Sequence, residues 1–160
     1  MKIGIGADPY GVELKEAVAR HLREAGHECV DLGGSAAEER AYYDVAHDLA
    51  GLLGAGELER GVLVCGTGMG MAIVANKHPG VYAAVCEDPG AAAKARSINN
   101  ANVLTLGGML TAPARAREIV DAFLATEFKS GWKPDVQAFL ERSMEDIRRI
   151  EGEAFGEDGR

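Results

Sequence analysis

The amino-acid sequence predicts an α/β protein with a doubly wound, five-stranded parallel sheet, helices on both of its faces, and one further C-terminal helix. Short β-rich segments alternate five times with longer amphipathic segments, which is the pattern of consecutive βαβ units with right-handed crossovers. The segment 61–65, Gly-Val-Leu-Val-Cys, is almost entirely apolar. Such a segment is typical of a central parallel strand that is covered on both faces.

The first half of the chain contains two strand–helix units. Residues 2–7 are predicted as a strand that ends at Asp8, and residues 11–25 as a helix that stops at Gly26. The apolar face of this helix consists of Leu14, Val18, Leu22 and Ala25. Residues 28–32 form the second predicted strand, and Asp44 is a candidate cap of the second helix.

The second half contains three further strands, at residues 61–65, 81–86 and 103–106. A short helix is predicted between Gly70 and Asn76, an alanine-rich helix at residues 89–98, and a helix that opens at Thr111 and Pro113. Sites in sheets of this kind lie beyond the carboxyl ends of the strands. The residues that follow strands in this interpretation are Asp8, Cys65, Glu87 and Gly107.

The last predicted helix runs from Pro134 to about Ile150. Its apolar stripe consists of Val136, Leu140, Ile147 and Ile150, flanked by Phe139 and Met144. A stripe of this kind requires cover, either from its own domain or from a partner subunit. We therefore divide the chain into a domain at 1–128, a helical extension of it at 129–151, and an acidic tail at 152–160 that is expected to fray.

Composition and charge argue against several classes of protein function. The net charge of −8 argues against a nucleic-acid partner. The apolar runs are too short for a membrane span, and the N-terminal segment lacks the long apolar region of a signal peptide. Three cysteines, without Cys-x-x-Cys spacing, argue against a disulfide framework and a zinc site. We therefore expect a cytoplasmic protein with neither a membrane nor a nucleic acid as partner.

The most specific local feature is the glycine-rich segment 64–71, Val-Cys-Gly-Thr-Gly-Met-Gly-Met. A glycine-rich turn between a buried strand and a helix exposes backbone N–H groups that bind a phosphate, a carboxylate or a developing enediolate. The dinucleotide fingerprint fails because Gly70 arrives one residue early, and no Walker A sequence occurs. We expect no cofactor.

Two residues beside this segment have both a functional and a structural interpretation. Cys65 precedes the loop, where a helix N-terminus and nearby N–H donors favour a thiolate, but a small buried hydrophobic residue is an equally good interpretation. Asp8 either caps the next helix or accepts a substrate hydroxyl.

Of the cluster Asn99, Asn100 and Asn102, one or two are expected to be structural. The four histidines lack metal-ligand spacing, so we expect no metal site.

Several motifs together resemble the type B ribose-5-phosphate isomerase family, which also contains galactose-6-phosphate isomerase subunits. These motifs are Gly6-Ala7-Asp8, Leu14-Lys15-Glu16, Tyr42 with Asp44, the Cys65–Gly70 block, Ala75-Asn76-Lys77, Asn99 with Ala101-Asn102-Val103, Leu106-Gly107-Gly108, and Phe123-Leu124 with Thr126-Glu127-Phe128. The resemblance extends from about Met1 to Phe128.

The resemblance implies a Rossmann-like homodimer, or a dimer of dimers, with active sites shared across the interface. It implies metal-free proton transfer between C1 and C2 of a sugar or sugar phosphate through a cis-enediolate. Cys65 would be the base and Thr67 would assist at the hydroxyls. Amides of Gly66, Gly68, Met69 and Gly70 would hold the enediolate oxygen. The remaining expected substrate contacts are Asp8, Tyr10, Tyr42, Asn99 and Lys133.

The chain departs from the family pattern at four places. Pro9 stands where the family has a phosphate-binding histidine, and Ile98 where it has the histidine that opens the sugar ring. Met109 stands at the place of an arginine, and Ser-Gly-Trp-Lys-Pro-Asp at 130–135 replaces a basic cluster. The resemblance therefore implies that proton transfer is retained while ring opening and most of the phosphate contacts are lost.

Three functional hypotheses follow. The first is an aldose–ketose isomerase for a substrate other than ribose 5-phosphate, namely a smaller, open-chain or non-phosphorylated sugar that stacks on Tyr10 and Trp132. The second is a ribose-5-phosphate isomerase whose phosphate site is rebuilt from Lys133, Arg115 or Arg142. The third is a catalytically silent sugar-binding or partner subunit. The retention of Cys65 with Thr67 counts against the third.

Overall fold

The computed structural model describes residues 1–35 and 37–156 and confirms the predicted five-stranded parallel α/β sheet. The strand order is β2-β1-β3-β5-β4. The strands are β1 (Lys2–Ala7), β2 (Glu28–Asp31), β3 (Arg60–Cys65), β4 (Ala83–Val85) and β5 (Val103–Gly107). The helices are α1 (Val12–Glu24), α2 (Tyr42–Gly54), α3 (Met69–Ala75), α4 (Pro89–Ser97), α5 (Pro113–Ala125) and α6 (Pro134–Phe155).

Strand β3 is buried on both faces, as its apolar sequence predicts. Its alternate side chains belong to two separate cores, because successive residues of a strand point to opposite faces. Val62 and Val64 pack with residues of α1, α4 and α5, whereas Leu63 and Cys65 pack with residues of α2 and α3. Cys65 therefore lies on the α2–α3 face, at the last position of the strand.

The strand register aligns the carboxyl ends of the three central strands. Ala7 of β1 is level with Val64 of β3, and Cys65 is level with Gly107 of β5. From β1 the chain passes to β2 on one side of that strand, whereas β3, β5 and β4 lie on its other side. The order reverses between β1 and β3, which is where sheets of this class bind ligands.

Strand β4 is shorter than the six residues predicted for it. The Asn76 side chain donates to Ala83 O at 2.9 Å and accepts from Ala83 N at 2.8 Å. Asn102 Oδ1 accepts from Tyr82 N at 2.8 Å. These side-chain bonds replace ladder bonds at the start of this edge strand, and they give Asn102 the structural role expected for part of the asparagine cluster. Asp44 lies in the first turn of α2 but is not its cap, which is Ala41.

Helix α6 extends to Phe155, beyond the predicted end near Ile150, and Gly156 terminates it. The Glu151 carboxylate accepts hydrogen bonds from Gly80 N at 2.9 Å and from Tyr82 Oη at 3.2 Å. These contacts attach the last turns of the helix to the body, so the first residues of the expected fraying tail are helical. Residues 157–160 of that tail lie outside the described residues.

Only part of the apolar stripe of α6 is covered within the chain. Leu140 and Met144 are buried, whereas Phe139 is 58% and Ile150 is 54% exposed. Within residues 1–35 and 37–156, none of the helices combines the length and the apolar composition that a membrane span requires.

Candidate active site

Cys65 lies at the carboxyl end of β3 with its sulfur directed at the glycine-rich loop. The residue is 5% exposed, and Gly68 N donates a hydrogen bond to Cys65 Sγ at 3.1 Å. This donor stabilises negative charge on the sulfur, as a proton-abstracting thiolate requires. Gly68 has φ +80°, and a Cβ at this position would lie 3.0 Å from the backbone of Leu106. Only glycine therefore allows this approach of the loop to the sulfur.

The remaining loop amides are divided between internal contacts and free donors. Met69 N donates to Thr67 Oγ1 at 3.4 Å, which leaves the Thr67 hydroxyl proton available to another group. In the described part of the chain, the N–H groups of Gly66, Thr67 and Gly70 have no acceptor. Of the amides predicted to hold an enediolate oxygen, those of Gly68 and Met69 are thus already used by side chains, and those of Gly66 and Gly70 are free.

Asp8 follows β1 on the other side of the point where the strand order reverses. It is 7% exposed, and its Oδ1 accepts from Tyr10 N at 3.0 Å. The N-cap of α1 is Gly11 and receives no side-chain hydrogen bond, so Asp8 does not cap that helix. Burial raises the pKa of the Asp8 carboxyl above 3.8, and hydrogen bonds from the Tyr10 and Gly11 backbones partly oppose this rise.

The raised pKa of Asp8 predicts that this carboxylate destabilises the fold. Burial disfavours the charged form, so ionisation of Asp8 lowers the stability of the folded state. The free energy of unfolding is therefore highest below pH 3.8, where the carboxyl is protonated, and it falls as the pH rises through the raised pKa. Asp8→Asn keeps the acceptor for Tyr10 N and should raise the free energy of unfolding at pH 7, measured by urea titration. The gain should vanish towards pH 3.8.

The resemblance implies that the Asp8 carboxylate accepts a substrate hydroxyl, so the same substitution should lower the catalytic activity about tenfold or more. Asp44→Asn, at an exposed position of α2, is the matched control and should change neither property. A less stable but fully active Asp8→Asn variant would contradict this role.

Tyr10 and Met109 border the loop on the side of β5. A Cβ built on Gly66 would lie 3.1 Å from Met109 Sδ and 3.6 Å from Tyr10 Cβ. A cavity of about 320 Å³ opens here, lined by Tyr10, Glu13, Leu14, Gly108, Met109, Leu110, Thr111, Ala112 and Pro113. None of these lining residues carries a positive charge. Met109, which stands at the place of a family arginine, has its sulfur against the glycine-rich loop.

Tyr42 and Met69 border the loop on the side of α2. A Cβ on Gly70 would lie 2.9 Å from Tyr42 Cε2, so the tyrosine ring lies directly on this glycine. Met69 is 52% exposed. The structure thus brings Cys65 together with most of its predicted partners, namely Asp8, Tyr10, Tyr42, Gly66, Thr67, Gly68, Met69 and Gly70.

Asn99 and Lys133 lie elsewhere in the same chain. Asn99 follows α4, which returns to the amino edge of the sheet, where Gly61 N donates to Asn102 O at 3.0 Å. Strand β3 separates this edge from Cys65 by four residue steps, or about 13 Å. Lys133 immediately follows Trp132, whose ring lies beside Lys94 of α4. Within a single chain, neither residue is therefore placed beside Cys65.

The arginines considered as replacements for the phosphate contacts are not in the cavity lining. Arg115 donates to Glu118 Oε2 at 2.8 Å on the exposed surface of α5. Arg142 lies at an exposed position of α6. Neither residue is among those that line the cavity at Tyr10 and Met109.

Comparison with known proteins identifies the family. Residues 3–138 match the family model described as Ribose/Galactose Isomerase. The chain belongs to this family. It is an aldose–ketose isomerase of the sugar-isomerase group that includes the type B ribose-5-phosphate isomerases, as the motifs around Cys65 implied.

Relatives of this isomerase differ in the substrates for which they are named. It is 43% identical to the 4-deoxy-4-sulfo-D-erythrose isomerase of Clostridium sp. (strain MSTE9), over 94% of this chain and 96% of that protein. It is 42% identical to the D-erythrulose-4-phosphate isomerase of Pectobacterium atrosepticum, over 82% and 87%. The solved structure of Clostridium thermocellum ribose-5-phosphate isomerase B superposes with a TM-score of 0.88 at 38% identity, covering 96% of this chain and 99% of that one.

Proposed function

We propose that this isomerase interconverts an open-chain four-carbon aldose and its ketose, each carrying an anionic group on carbon 4. The observation that carries the proposal is the Cys65 thiol, which receives a hydrogen bond from Gly68 N of the loop. Tyr10 and Met109, which border this loop at Gly66, also line a small cavity without a cationic residue. Two relatives are named for four-carbon sugars, one with a sulfonate and one with a phosphate on carbon 4.

In this proposal the chain performs the reaction by proton transfer alone, without a metal ion. The Cys65 thiolate removes the proton from C2 of the aldose, and the electron pair of that C–H bond forms the C1=C2 double bond while negative charge develops on O1. The free N–H groups of Gly66 and Gly70 would stabilise this oxygen. The Cys65 thiol then returns the proton to C1, and a hydroxyl proton passes from O2 to O1. Thr67 and Asp8 hold these two oxygens.

The absence of an acid or base at position 98 fits a substrate of this kind. A pentose phosphate is mainly cyclic and must be opened before C2 can lose its proton. A four-carbon sugar whose carbon 4 carries a sulfonate or phosphate has no free hydroxyl with which to close a five-membered ring. Ile98, at the end of α4, therefore removes nothing that such a substrate needs.

We propose further that the enzyme is cytoplasmic and works as a homodimer. All three cysteines are free thiols, which fits a reducing compartment. In a homodimer, Asn99 and Lys133 of one copy would complete the site that contains Cys65 of the other. Exposed apolar side chains of α6, such as Phe139 and Ile150, supply surface for the contact.

The dimer is tested by light scattering and by mixing two variants. We expect at least a dimer at micromolar concentration. In a mixed dimer of one Cys65→Ala chain and one Asn99→Ala chain, both substitutions fall in the same one of the two shared sites, so the other site keeps both residues intact. Co-refolded variants should exceed the mean activity of the two parents. A stable monomer, or activity equal to that mean, would contradict the shared site.

The activity itself is tested by NMR in D₂O with 4-deoxy-4-sulfo-D-erythrose and D-erythrulose 4-phosphate as substrates. We expect aldose–ketose conversion with solvent deuterium entering C1 or C2, since a proton held by Cys65 exchanges with solvent. Conversion should survive excess EDTA. Failure to convert either compound would refute the proposed substrate class, and conversion without deuterium exchange would refute the thiolate mechanism.

A further inference from the structure

Lys94 of α4 lies against the single tryptophan of the chain. Its Nζ is 4.4 Å from the centre of the Trp132 ring. A lysine ammonium at this distance over an indole face is attracted to it and is held in place. The backbone of the segment is also attached to α4, because Lys129 N donates to Ser97 O at 3.0 Å. Lys94 and Trp132 thus form one surface at the amino edge of the sheet, together with the end of α4.

Neighbouring cations of this surface are already occupied, whereas Lys94 is not. Lys129 is paired with Glu141. Arg96 is buried and donates to Thr126 O, Asn100 Oδ1 and Ala101 O, and burial lowers its pKa to about 10. Within residues 1–35 and 37–156, no carboxylate lies within 4.0 Å of Lys94 Nζ. Its charge is therefore available to a ligand.

Trp132 supplies a second, independent observation. Its indole Nε1 is buried and has no hydrogen-bond partner among the described residues. A buried donor without an acceptor destabilises the folded state, so native proteins rarely retain one. An anion attracted by Lys94 would bring an oxygen acceptor to this N–H group.

We propose that Lys94 binds the terminal anionic group of the substrate, with Trp132 as the residue that positions the ammonium and donates its N–H. This inference rests on the proposed function, since the pair would act on a substrate held at Cys65 of a second copy. Lys94 belongs to α4, which Asn99 follows, and Trp132 directly precedes Lys133 in the sequence. These are the two candidate contacts that a single chain does not place beside Cys65. Lys94 of α4 thus supplies the positive charge that is missing from the sequence at position 132.

The proposed pair also explains a preference among anions. It offers one positive charge and one neutral donor, with Lys133 nearby. Phosphate dianions are usually bound by several charged donors that match their geometry, whereas a sulfonate carries a single negative charge. We therefore assign the site to a carbon-4 sulfonate in preference to a phosphate dianion.

Binding is tested without reference to catalysis by titrating the enzyme with methanesulfonate at constant ionic strength. The chain has one tryptophan, so a single indole N–H signal in the ¹H–¹⁵N spectrum reports on Trp132. We expect a saturable shift of this signal. Lys94→Ala should weaken the fitted affinity about tenfold. Lys77→Ala, an exposed lysine in the connection before β4, should leave it unchanged.

Kinetics then separate the anion site from the rest of the mechanism. Lys94→Ala should raise KM for 4-deoxy-4-sulfo-D-erythrose about tenfold, with kcat nearly unchanged, and should leave kcat/KM for uncharged 4-deoxy-D-erythrose at the wild-type value. Trp132→Phe, which keeps a ring face but removes the N–H, should lie between wild type and Lys94→Ala.

Two outcomes distinguish failure of this inference from failure of the proposed function. An indole shift that depends on Lys94, in an enzyme that converts no four-carbon sugar, would refute the proposed substrate and leave the anion site supported. Turnover of the sulfonated substrate with the same KM in wild type and Lys94→Ala would refute the anion site and leave the isomerase supported.

Discussion

Replacement of Cys65 by alanine should lower kcat by at least about a hundredfold, the usual scale for removal of a general base. The physical reason is the position of the thiol, which is 5% exposed and receives the Gly68 N–H at 3.1 Å. Neither alanine nor serine provides a base of comparable strength at neutral pH. The assay is deuterium incorporation into substrate, which reports on proton abstraction even when product release is slow. The far-UV circular dichroism spectrum should be unchanged.

The other two cysteines are matched controls. Cys86 is buried, and burial raises its pKa to about 11, so that it stays protonated at neutral pH. Cys29 is half-buried against the core that contains Val62 and Val64, and burial raises its pKa as well. Alanine at either position should reduce stability, as truncation in a core does, and should leave kcat close to that of wild type.

Survival of activity in Cys65→Ala would move the base to another residue. Glu87 follows β4 and is one candidate from the sequence, but β5 lies between β4 and β3. Two strand spacings separate Glu87 from Cys65, or about 10 Å. Glu13, which lines the cavity beside the loop, is a better second candidate.

The second large effect concerns ribose 5-phosphate. We expect kcat/KM for this sugar to be at least about a hundredfold lower than for a carbon-4 sulfonated tetrose. Two or more charged phosphate contacts, each worth about 1.5–3 kcal/mol, are missing at Pro9 and Met109. The cavity that Met109 lines has no cationic lining residue. The comparison requires initial rates with both substrates under identical conditions.

Substitutions that restore the family residue at a single position provide the control for this prediction. Ile98→His should improve turnover of ribose 5-phosphate, because a histidine assists ring opening, and should not improve turnover of an open-chain tetrose. Met109→Arg should lower KM for ribose 5-phosphate and leave the rate of proton abstraction unchanged. A wild-type turnover of ribose 5-phosphate near 10 per second with a submillimolar KM, the ordinary range for enzymes, would contradict the proposed selectivity.

The sequence alone determined the sheet and the position of the proposed proton-transfer residues. The apolar segment that forms β3 and the alternation of strands with amphipathic helices are local patterns, because side-chain periodicity follows directly from backbone geometry. The Cys65 loop was equally local, since its glycines and the thiol are consecutive. Asp8 could be placed at the same edge because parallel strands end together. Its competing role as a helix cap was decided only by the structure, in which Gly11 occupies that position.

The tertiary structure decided which residues from different elements meet. Asn99 follows a helix, and a helix that follows a parallel strand carries the chain back to the amino edge, so Asn99 lies at the end of the sheet opposite to Cys65. The ends of β4 and α6 depended on distant partners, Asn76 with Ala83 and Glu151 with Tyr82. Lys94 could not be identified as a candidate binding residue from the sequence, because its proposed role depends on its contact with Trp132. The position of Trp132 depends in turn on how the segment after α5 packs on α4. Contacts of this kind arise from packing between elements, and the side-chain periodicity within one element does not predict them.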